Sequence, residues 1–250
     1  MKELLRAAFS QFEKNQIAAV DAELLLAHLL GISRKQIHAQ DLELADGDRE
    51  KLASEYSDLI NQRLLGRPVQ YITGSAAFRY LDLEVGEGVL IPRPESELIV
   101  DRVIGYLNSA DDKDLAKSVI DLGAGSGALS IAISTEAALK GLKVSMVAVE
   151  KSAEAAAWLN KNIAKYDLPI RVVIEDVVTA LPDVKADLVV ANPPYIPNDE
   201  KLPIEVASYE PEVALRGGPV DGMQMPKLFI DSAARLLKSG GFFIMEHHEM

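Results

Sequence analysis

Apolar residues recur at helical spacing through residues 1–72, with polar residues between them. Gly31 is a typical stop for a second helix, and Ser33 with Gln36 fits a capping box for a short third one. Gly66 and Pro68 end the longest helical pattern. The predicted helices cover residues 4–9, 21–30, 34 onward and 48–65. We therefore expect an N-terminal helical bundle, in a segment with no glycine-rich loop.

From residue 69 to 92 the pattern changes to a period of two. Leu81, Leu83 and Val85 alternate with acidic residues, and a glycine turn at 86–88 leads into the apolar run 89–91. This alternation is typical of half-buried strands. We predict a β-hairpin linker over residues 73–92.

Helix and strand patterns alternate through residues 93–250. Helices are predicted at about 95–107, 127–139, 153–166 and 224–238, and strands at 119–122, 143–149, 170–174, 187–191 and 241–245. Nearly continuous apolar strands separated by helices indicate a parallel sheet that is covered on both faces. The predicted fold class is α/β, and a smaller helical domain precedes the α/β domain in the sequence.

Composition restricts the choice of partner and compartment. The chain has 26 basic and 38 acidic residues, a formal net charge of −12, so its average field repels nucleic acid. It has no cysteine, which excludes disulfides and thiolate chemistry. The first residues lack the apolar core of a secretory signal, and no apolar run reaches about 18 residues. We expect a cytoplasmic protein.

A glycine-rich loop follows the first strand of this sheet. It reads Gly123-Ala124-Gly125-Ser126-Gly127 and opens a helix. Glycines let a ligand approach the backbone, and the helix start offers free N–H groups. The spacing also satisfies the dinucleotide pattern G-x-G-x-x-G/A, so a dehydrogenase stays open, as does a tight turn that binds nothing.

Acidic residues follow the next two strands at the same predicted edge. Glu150 ends the second strand, where a carboxylate accepts two hydrogen bonds from a ribose diol, although a charge at a helix start has the same sequence pattern. Asp176 follows the third strand and is a candidate acceptor for an adenine amino group, with Val177 beside it.

The tetrapeptide Asn192-Pro193-Pro194-Tyr195 comes directly after the fourth strand. Proline pairs commonly end strands, which explains the position but not the combination of residues. Fixed prolines direct the Asn192 side-chain oxygen and the Pro193 carbonyl at one target, and Tyr195 adds an aromatic face. Two acceptors and a stacking face suit a planar group that carries an NH₂.

With the glycine loop and Glu150, this tetrapeptide resembles the amino methyltransferases that use S-adenosyl-L-methionine. Further motifs narrow the resemblance to the peptide chain release factor glutamine methyltransferase family (PrmC/HemK), and the similarity covers nearly the whole chain. These motifs are Gly66-Arg67-Pro68, residues 71–74, residues 91–97, Tyr209-Glu210-Pro211, Ala214-Leu215, Gly218 and Asp221-Gly222.

The resemblance implies a Rossmann-like methyltransferase domain over residues 93–250, preceded by a release-factor recognition domain over 1–72. It implies N5-methylation of the glutamine in the Gly-Gly-Gln motif of release factors. Residues matching Gly123–Gly127, Glu150, Asp176, Val177 and Asn192 would hold the cofactor, and residues 192–195 the glutamine, with Asn192, Pro193 and Tyr195 catalytic. Some relatives have tryptophan where this chain has Val177. The family also continues into a last antiparallel pair of strands beyond residue 250.

Three other functions remain open at this point. An adenine-N6 methyltransferase of DNA or RNA needs the same acceptor pair, but also base flipping and a basic groove. A dinucleotide oxidoreductase explains the glycines and leaves residues 192–195 without a role. A binding module without catalysis is the third. We expect a monomer that contacts neither nucleic acid nor membrane.

Two other segments carry chemistry-bearing residues. Residues 246–249 read Glu-His-His-Glu, but neighbouring strand residues face opposite sides, so we predict no metal site. Arg93 and Glu95 precede a helix, where they would shape the cofactor pocket or cap the helix.

Overall fold

The computed structural model describes residues 1–39, 46–109 and 115–247. They divide into two compact units. The first contains the described residues of 1–74 together with 203–209, and the second contains residues 75–202 and those from 210 onward. In the described residues no helix is both long and apolar enough to cross a membrane.

The first unit is a bundle of helices. They are α1 (Lys2–Lys14), α2 (Ala19–Leu30), α3 (Arg34–Ala39), α4 (Asp46–Leu64), α5 (Val69–Thr73) and, from much later in the chain, α9 (Ile204–Tyr209). Phe12, Leu25 and Leu26 are fully buried at its centre. Gly31 ends α2 with φ +62°, and the Gln36 side chain accepts from the Ser33 N–H at 2.8 Å, as the helix-stop and capping patterns predicted.

The linker differs from the prediction in two respects. Residues 69–73 form helix α5 rather than extended chain, because Pro68 starts it and Gly74, at φ +72°, ends it. The hairpin pairs β1 (Ser75–Phe78) with β2 (Leu81–Glu84), and residues 89–91 form no strand. The turn at 86–88 is instead packed against Trp158, since a Cβ at Gly86 would lie 2.5 Å from its ring.

In the described residues, the second unit has a five-stranded, all-parallel sheet, and the parallel arrangement is as predicted. Its strands are β3 (Lys117–Leu122), β4 (Val144–Glu150), β5 (Arg171–Ile174), β6 (Ala186–Ala191) and β9 (Leu237–Met245), in the order β5-β4-β3-β6-β9. Its helices are α6 (Glu97–Ser109), α7 (Ala128–Leu139), α8 (Ala153–Tyr166) and α10 (Gln224–Leu236). A short parallel pair, β7 (Ile196–Pro197) and β8 (Arg216–Gly218), lies apart from the sheet.

Both faces of the sheet carry a hydrophobic core. Val119 and Ile120 are successive residues of β3, and they belong to different core clusters because strand side chains alternate between faces. The chain builds β4 and β5 on one side of β3 and then crosses to place β6 on the other. Ligands of such sheets bind at the carboxyl ends of the strands where the order reverses. The ends of β3 and β6 therefore locate the candidate site.

Candidate active site

The glycine loop connects β3 to α7 through backbone conformations that favour glycine. Gly123, Gly125 and Gly127 have φ values of +71°, +57° and +86°. The N–H groups of Gly123 and Ala124 both donate to the Val149 carbonyl, at 2.9 and 3.0 Å, which fixes the loop beside β4. A Cβ at Gly127 would lie 2.7 Å from Leu159, whereas one at Gly125 would meet nothing within 4 Å. Gly125 is therefore the glycine whose backbone faces open space.

Glu150 supports this loop from the end of β4. It is buried, and its Oε2 accepts from the Gly125 N–H at 2.9 Å while its Oε1 accepts from the Ser152 N–H at 2.8 Å. A carboxylate has about four lone-pair positions, so acceptor capacity remains for a ligand. Glu150 therefore supports the glycine loop and keeps acceptor positions for a ligand.

Asp121 lies one strand away, and it is fully buried. Its Oδ2 accepts from the N–H and hydroxyl of Ser130, at 3.1 and 2.6 Å. Among the residues that the structure describes, none donates a hydrogen bond to its Oδ1. Burial raises the pKa of Asp121 to about 6, although the bonds from Ser130 oppose the rise and the charge of Glu150 adds to it. Sequence reasoning assigned Asp121 no role.

A cavity opens above the glycine loop at the carboxyl edge of the sheet. The predicted cofactor residues that line it are Gly123, Gly125, Glu150, Asp176, Val177 and Asn192. The other lining residues include Gly88, Leu90, Lys151, Pro194, Ala214, Met225 and Phe229. Ala124, Ser126 and Gly127 do not line it. Ala124 packs with Ala148 and Leu159, and the Ser126 carbonyl accepts from Asn162 at 3.0 Å.

A second, smaller cavity adjoins the first at the tip of β6. Its walls are Leu90, Arg93, Asn192, Pro193, Tyr195, Ile196, Ala214 and Leu215. Leu90, Asn192 and Ala214 line both cavities, whereas Pro193 and Tyr195 line the second and Pro194 the first. The predicted tetrapeptide therefore forms part of the boundary between two spaces, one beside the glycine loop and one beside the tyrosine.

A chain of hydrogen bonds holds two members of the tetrapeptide. Asn192 Nδ2 donates to Ser96 Oγ at 2.8 Å, and Ser96 Oγ donates to Glu246 Oε2 at 2.5 Å. Tyr195 donates its hydroxyl to Glu246 Oε1 at 2.9 Å. Burial and the charge of Glu246 raise the pKa of Tyr195 to about 12, so the phenol stays protonated near neutral pH.

Sequence reasoning missed the roles of Ser96 and Glu246. In the sequence, Ser96 is one residue of the motif at 91–97, and Glu246 belongs to the Glu-His-His-Glu run, for which we predict no metal site. Among the described residues no group of three or more metal-ligating side chains is found, and His248 and Glu249 lie outside the described range. The available signal was the position of Glu246 directly after β9, at the same sheet edge as Asn192.

Arg93 lines the second cavity and is paired with a buried acid. Its Nη2 donates to Glu210 Oε1 at 2.6 Å, and Glu210 Oε2 accepts from the Ile91 N–H at 3.1 Å. The Glu210 side chain is only 2% exposed, so these two partners compensate its buried charge. Arg93 makes no side-chain capping bond, so the capping interpretation is wrong for Arg93, whereas Glu95 lies in the first turn of the 3-10 helix, where its charge suits the helix start.

Family models match two parts of the chain: the PrmC N-terminal domain over residues 3–74, and the methyltransferase small domain over residues 97–207. Three curated proteins, each named release factor glutamine methyltransferase, are similar to this chain over most of the chain's length. Those of Bifidobacterium longum, Streptomyces coelicolor and Caulobacter vibrioides are 37%, 36% and 37% identical to it. Each match covers 91% of this chain, and 79%, 76% and 76% of the respective relatives.

Proposed function

Because the chain belongs to the release factor glutamine methyltransferase family, we propose that it methylates a glutamine side chain of a peptide chain release factor. The proposed acceptor is the amide nitrogen of the glutamine in the Gly-Gly-Gln motif. The proposed methyl donor is S-adenosyl-L-methionine, which supplies, when bound, a methyl group on a positively charged sulfur.

The first cavity has the features that this donor requires. Gly125 leaves its backbone open to the cavity, and the Glu150 carboxylate lies beside it as an acceptor for a ribose diol. Asp176 and Val177 line the same cavity, where a carboxylate and an apolar surface suit an adenine ring. We assign Gly123, Gly125, Glu150, Asp176, Val177 and Asn192 to donor binding, with Ala124, Ser126 and Gly127 shaping the loop.

The second cavity suits a carboxamide. Among the described residues, no group donates a hydrogen bond to Asn192 Oδ1, and Asn192 lines both cavities. Oδ1 and the Pro193 carbonyl would accept the two N–H bonds of the amide. Tyr195 and Pro194 would confine its plane. This position of Asn192, with its side-chain oxygen available between the two cavities, is the observation that carries the proposal.

These residues would act mainly by orientation. An amide nitrogen is a poor nucleophile because its lone pair is delocalised, so alignment has to supply much of the rate, about 7–11 kcal/mol in well-oriented systems. The two acceptors also favour positive charge that develops on the nitrogen. After the methyl transfer, the extra proton on the nitrogen passes to water or a pocket oxygen, so no general base is required.

The N-terminal helices are proposed to recognise the release factor. We place that role in residues 1–72, the hairpin linker in 73–92 and the transferase in residues 93–250. We also propose that the protein acts as a monomer in the cytoplasm and contacts no nucleic acid or membrane. Its net charge of −12 supports the absence of nucleic-acid contact, since phosphate contacts dominate nucleic-acid affinity.

An acceptor assay with labelled donor tests the function. A release factor should be labelled, and its variant with alanine at the Gly-Gly-Gln glutamine should not. Labelling of duplex or single-stranded DNA in place of the release factor would instead support the adenine methyltransferase alternative, which the curated relatives do not favour.

A further inference from the structure

We propose that Ser96 and Glu246 are positioning residues that fix which end of the Asn192 side-chain amide faces the acceptor. Glu246 sets the direction of the hydrogen-bond chain, Ser96 transmits it, and Asn192 Oδ1 is left facing the substrate. This inference rests on the proposed function, because it assigns a task to the same site.

The direction of the chain follows from the chemistry of its members. An ionised carboxylate only accepts hydrogen bonds, so the Ser96 hydroxyl has to donate its single proton to Glu246 Oε2. Ser96 Oγ then acts as an acceptor toward Asn192, and of the two ends of that amide only the NH₂ end donates. Nδ2 therefore faces Ser96 and Oδ1 faces away from it.

Both positioning residues are themselves held by the fold. Ser96 is 4% exposed and lies in a 3-10 turn, Pro94–Ser96, directly before α6. The Glu246 N–H donates at 3.1 Å to the carbonyl of Ala191, the residue before Asn192. The pairing of β6 with β9 thus sets the separation between the carboxylate and the tetrapeptide.

Glu246 also holds the aromatic wall of the second cavity. The Tyr195 hydroxyl donates to Oε1 while Ser96 donates to Oε2, so one carboxylate orients both Asn192 and Tyr195. Hydrogen bonds that end on a charge are stronger than neutral ones, and bonds in series polarise one another. The negative charge of Glu246 therefore increases the acceptor strength of Oδ1 as well as fixing its direction.

Steady-state kinetics of Ser96→Ala, with binding of S-adenosyl-L-methionine measured by calorimetry, test this role. We expect kcat to fall about tenfold or more, and the donor Kd, to which Asn192 contributes, to rise by a smaller factor. Ser96→Thr keeps the hydroxyl and should recover most of kcat. The matched control is Ser232→Ala, which removes another buried serine hydroxyl, bonded to the Leu228 carbonyl, in α10.

Glu246→Gln provides a second test that keeps the side-chain volume. Its NH₂ end can donate to Ser96, which would reverse the chain and allow the Asn192 amide to turn. We therefore expect kcat again to fall by a larger factor than the donor Kd rises. Wild-type kcat in either variant would overturn the inference. A loss of kcat matched by equal losses of donor affinity and melting temperature would overturn it too, since that pattern indicates a structural role.

A measurement without either substrate separates this inference from the proposed function. In the wild type, NMR should show slow exchange with solvent for the Asn192 side-chain NH₂, and Ser96→Ala should make that exchange fast. Unchanged exchange would contradict the hydrogen-bond chain. Absence of labelling of a release factor by the wild-type enzyme would contradict the proposed function instead.

Discussion

The Glu150 carboxylate accepts a hydrogen bond of 2.9 Å from the backbone N–H of Gly125, across the gap between β4 and the glycine loop. Glu150 accepts a second bond, from the Ser152 N–H that follows β4. The residue proposed to bind the ribose therefore also holds the loop in the conformation that leaves the cavity open.

Replacement of Glu150 by alanine should weaken donor binding more than loss of one ligand contact would. The loop loses a charge-assisted bond at Gly125 and the ribose loses its acceptor, so we expect the Kd to rise about 10- to 100-fold, or about 1.4–2.8 kcal/mol. Calorimetry with S-adenosylhomocysteine measures this. Glu175→Ala is the control, because Glu175 is exposed and does not line the cavity. Equal affinities in the two variants would contradict both roles.

Gly222 allows its own backbone to lie close to that of Tyr195, the last residue of the tetrapeptide. A Cβ at Gly222, where φ is +68°, would lie 2.0 Å from the Tyr195 carbonyl oxygen. Gly222→Ala should therefore displace Tyr195 and lower kcat about tenfold or more. Gly141→Ala is a matched control, since Gly141 also has φ +68° and a Cβ there meets nothing within 4 Å. It should cost about 1–2 kcal/mol of stability and leave kcat unchanged. Equal kcat in both variants would exclude the close approach as a constraint.

A buried ion pair joins α2 to α4 within the first unit. Arg63 Nε donates to Asp21 Oδ2 at 2.7 Å, and Arg63 Nη2 donates to Glu205 Oε2 at 2.8 Å. Arg63→Met leaves Asp21 buried without its partner, so we expect a destabilisation of about 3–5 kcal/mol. Hydrogen exchange of α2 and α4 measures it.

The double variant Asp21→Asn, Arg63→Met should recover part of that loss, because it removes both charges. Lys51→Met is the control, since Lys51 is 75% exposed and its pair with Glu55 should contribute less than about 1 kcal/mol. A similar protection of α2 in the Arg63 and Lys51 variants would show that the buried pair contributes nothing.

Asp121 should make stability fall as the pH rises from about 4 to 6. Burial raises its pKa in the folded chain to about 6, whereas an unfolded aspartate titrates near 3.9, so the folded state binds the extra proton between these values. Its contribution is fully present below pH 4, is lost as the pH rises through 6, and amounts to about 3 kcal/mol.

Asp121→Asn removes this titration and keeps an oxygen acceptor for Ser130. The stability difference between Asp121→Asn and wild type should therefore change by about 3 kcal/mol between pH 4 and pH 7, in favour of the variant at pH 7. Urea unfolding at the two pH values measures it. The same stability difference at both pH values would show that the pKa of Asp121 is not raised in the folded chain.

The sheet was predictable because its signals are local. The apolar strand ending at Leu122 and the glycines after it placed the loop correctly, and the strand ending at Ala191 placed Asn192 at the same edge. The sequence predicted a hairpin linker but not that residues 75–78 pair with residues 81–84, because alternation identifies a strand and not its partner. Helix α5 was not predicted because its residues also fit a short alternating pattern. In the structure, the helix start at Pro68 and the helix stop at Gly74 outweigh that pattern.

The supports of the site depend on contacts between residues far apart in sequence. Ser96 is 96 residues from Asn192, and Glu246 is 51 residues from Tyr195, so neither local pattern nor propensity indicates that they meet. The same applies to Glu205, which lies in the second half of the chain but pairs with Arg63 in the first unit.

Fragment mass spectrometry of a release factor, after incubation with this enzyme and isotope-labelled S-adenosyl-L-methionine, tests the central claim most directly. We expect one labelled methyl on the glutamine side chain of the Gly-Gly-Gln peptide. Asn192→Ala should reduce the rate of its appearance about 100-fold or more, and Asn160→Ala, on the exposed part of α8, should not. A methyl group on another residue, or an unchanged rate in Asn192→Ala, would contradict the account.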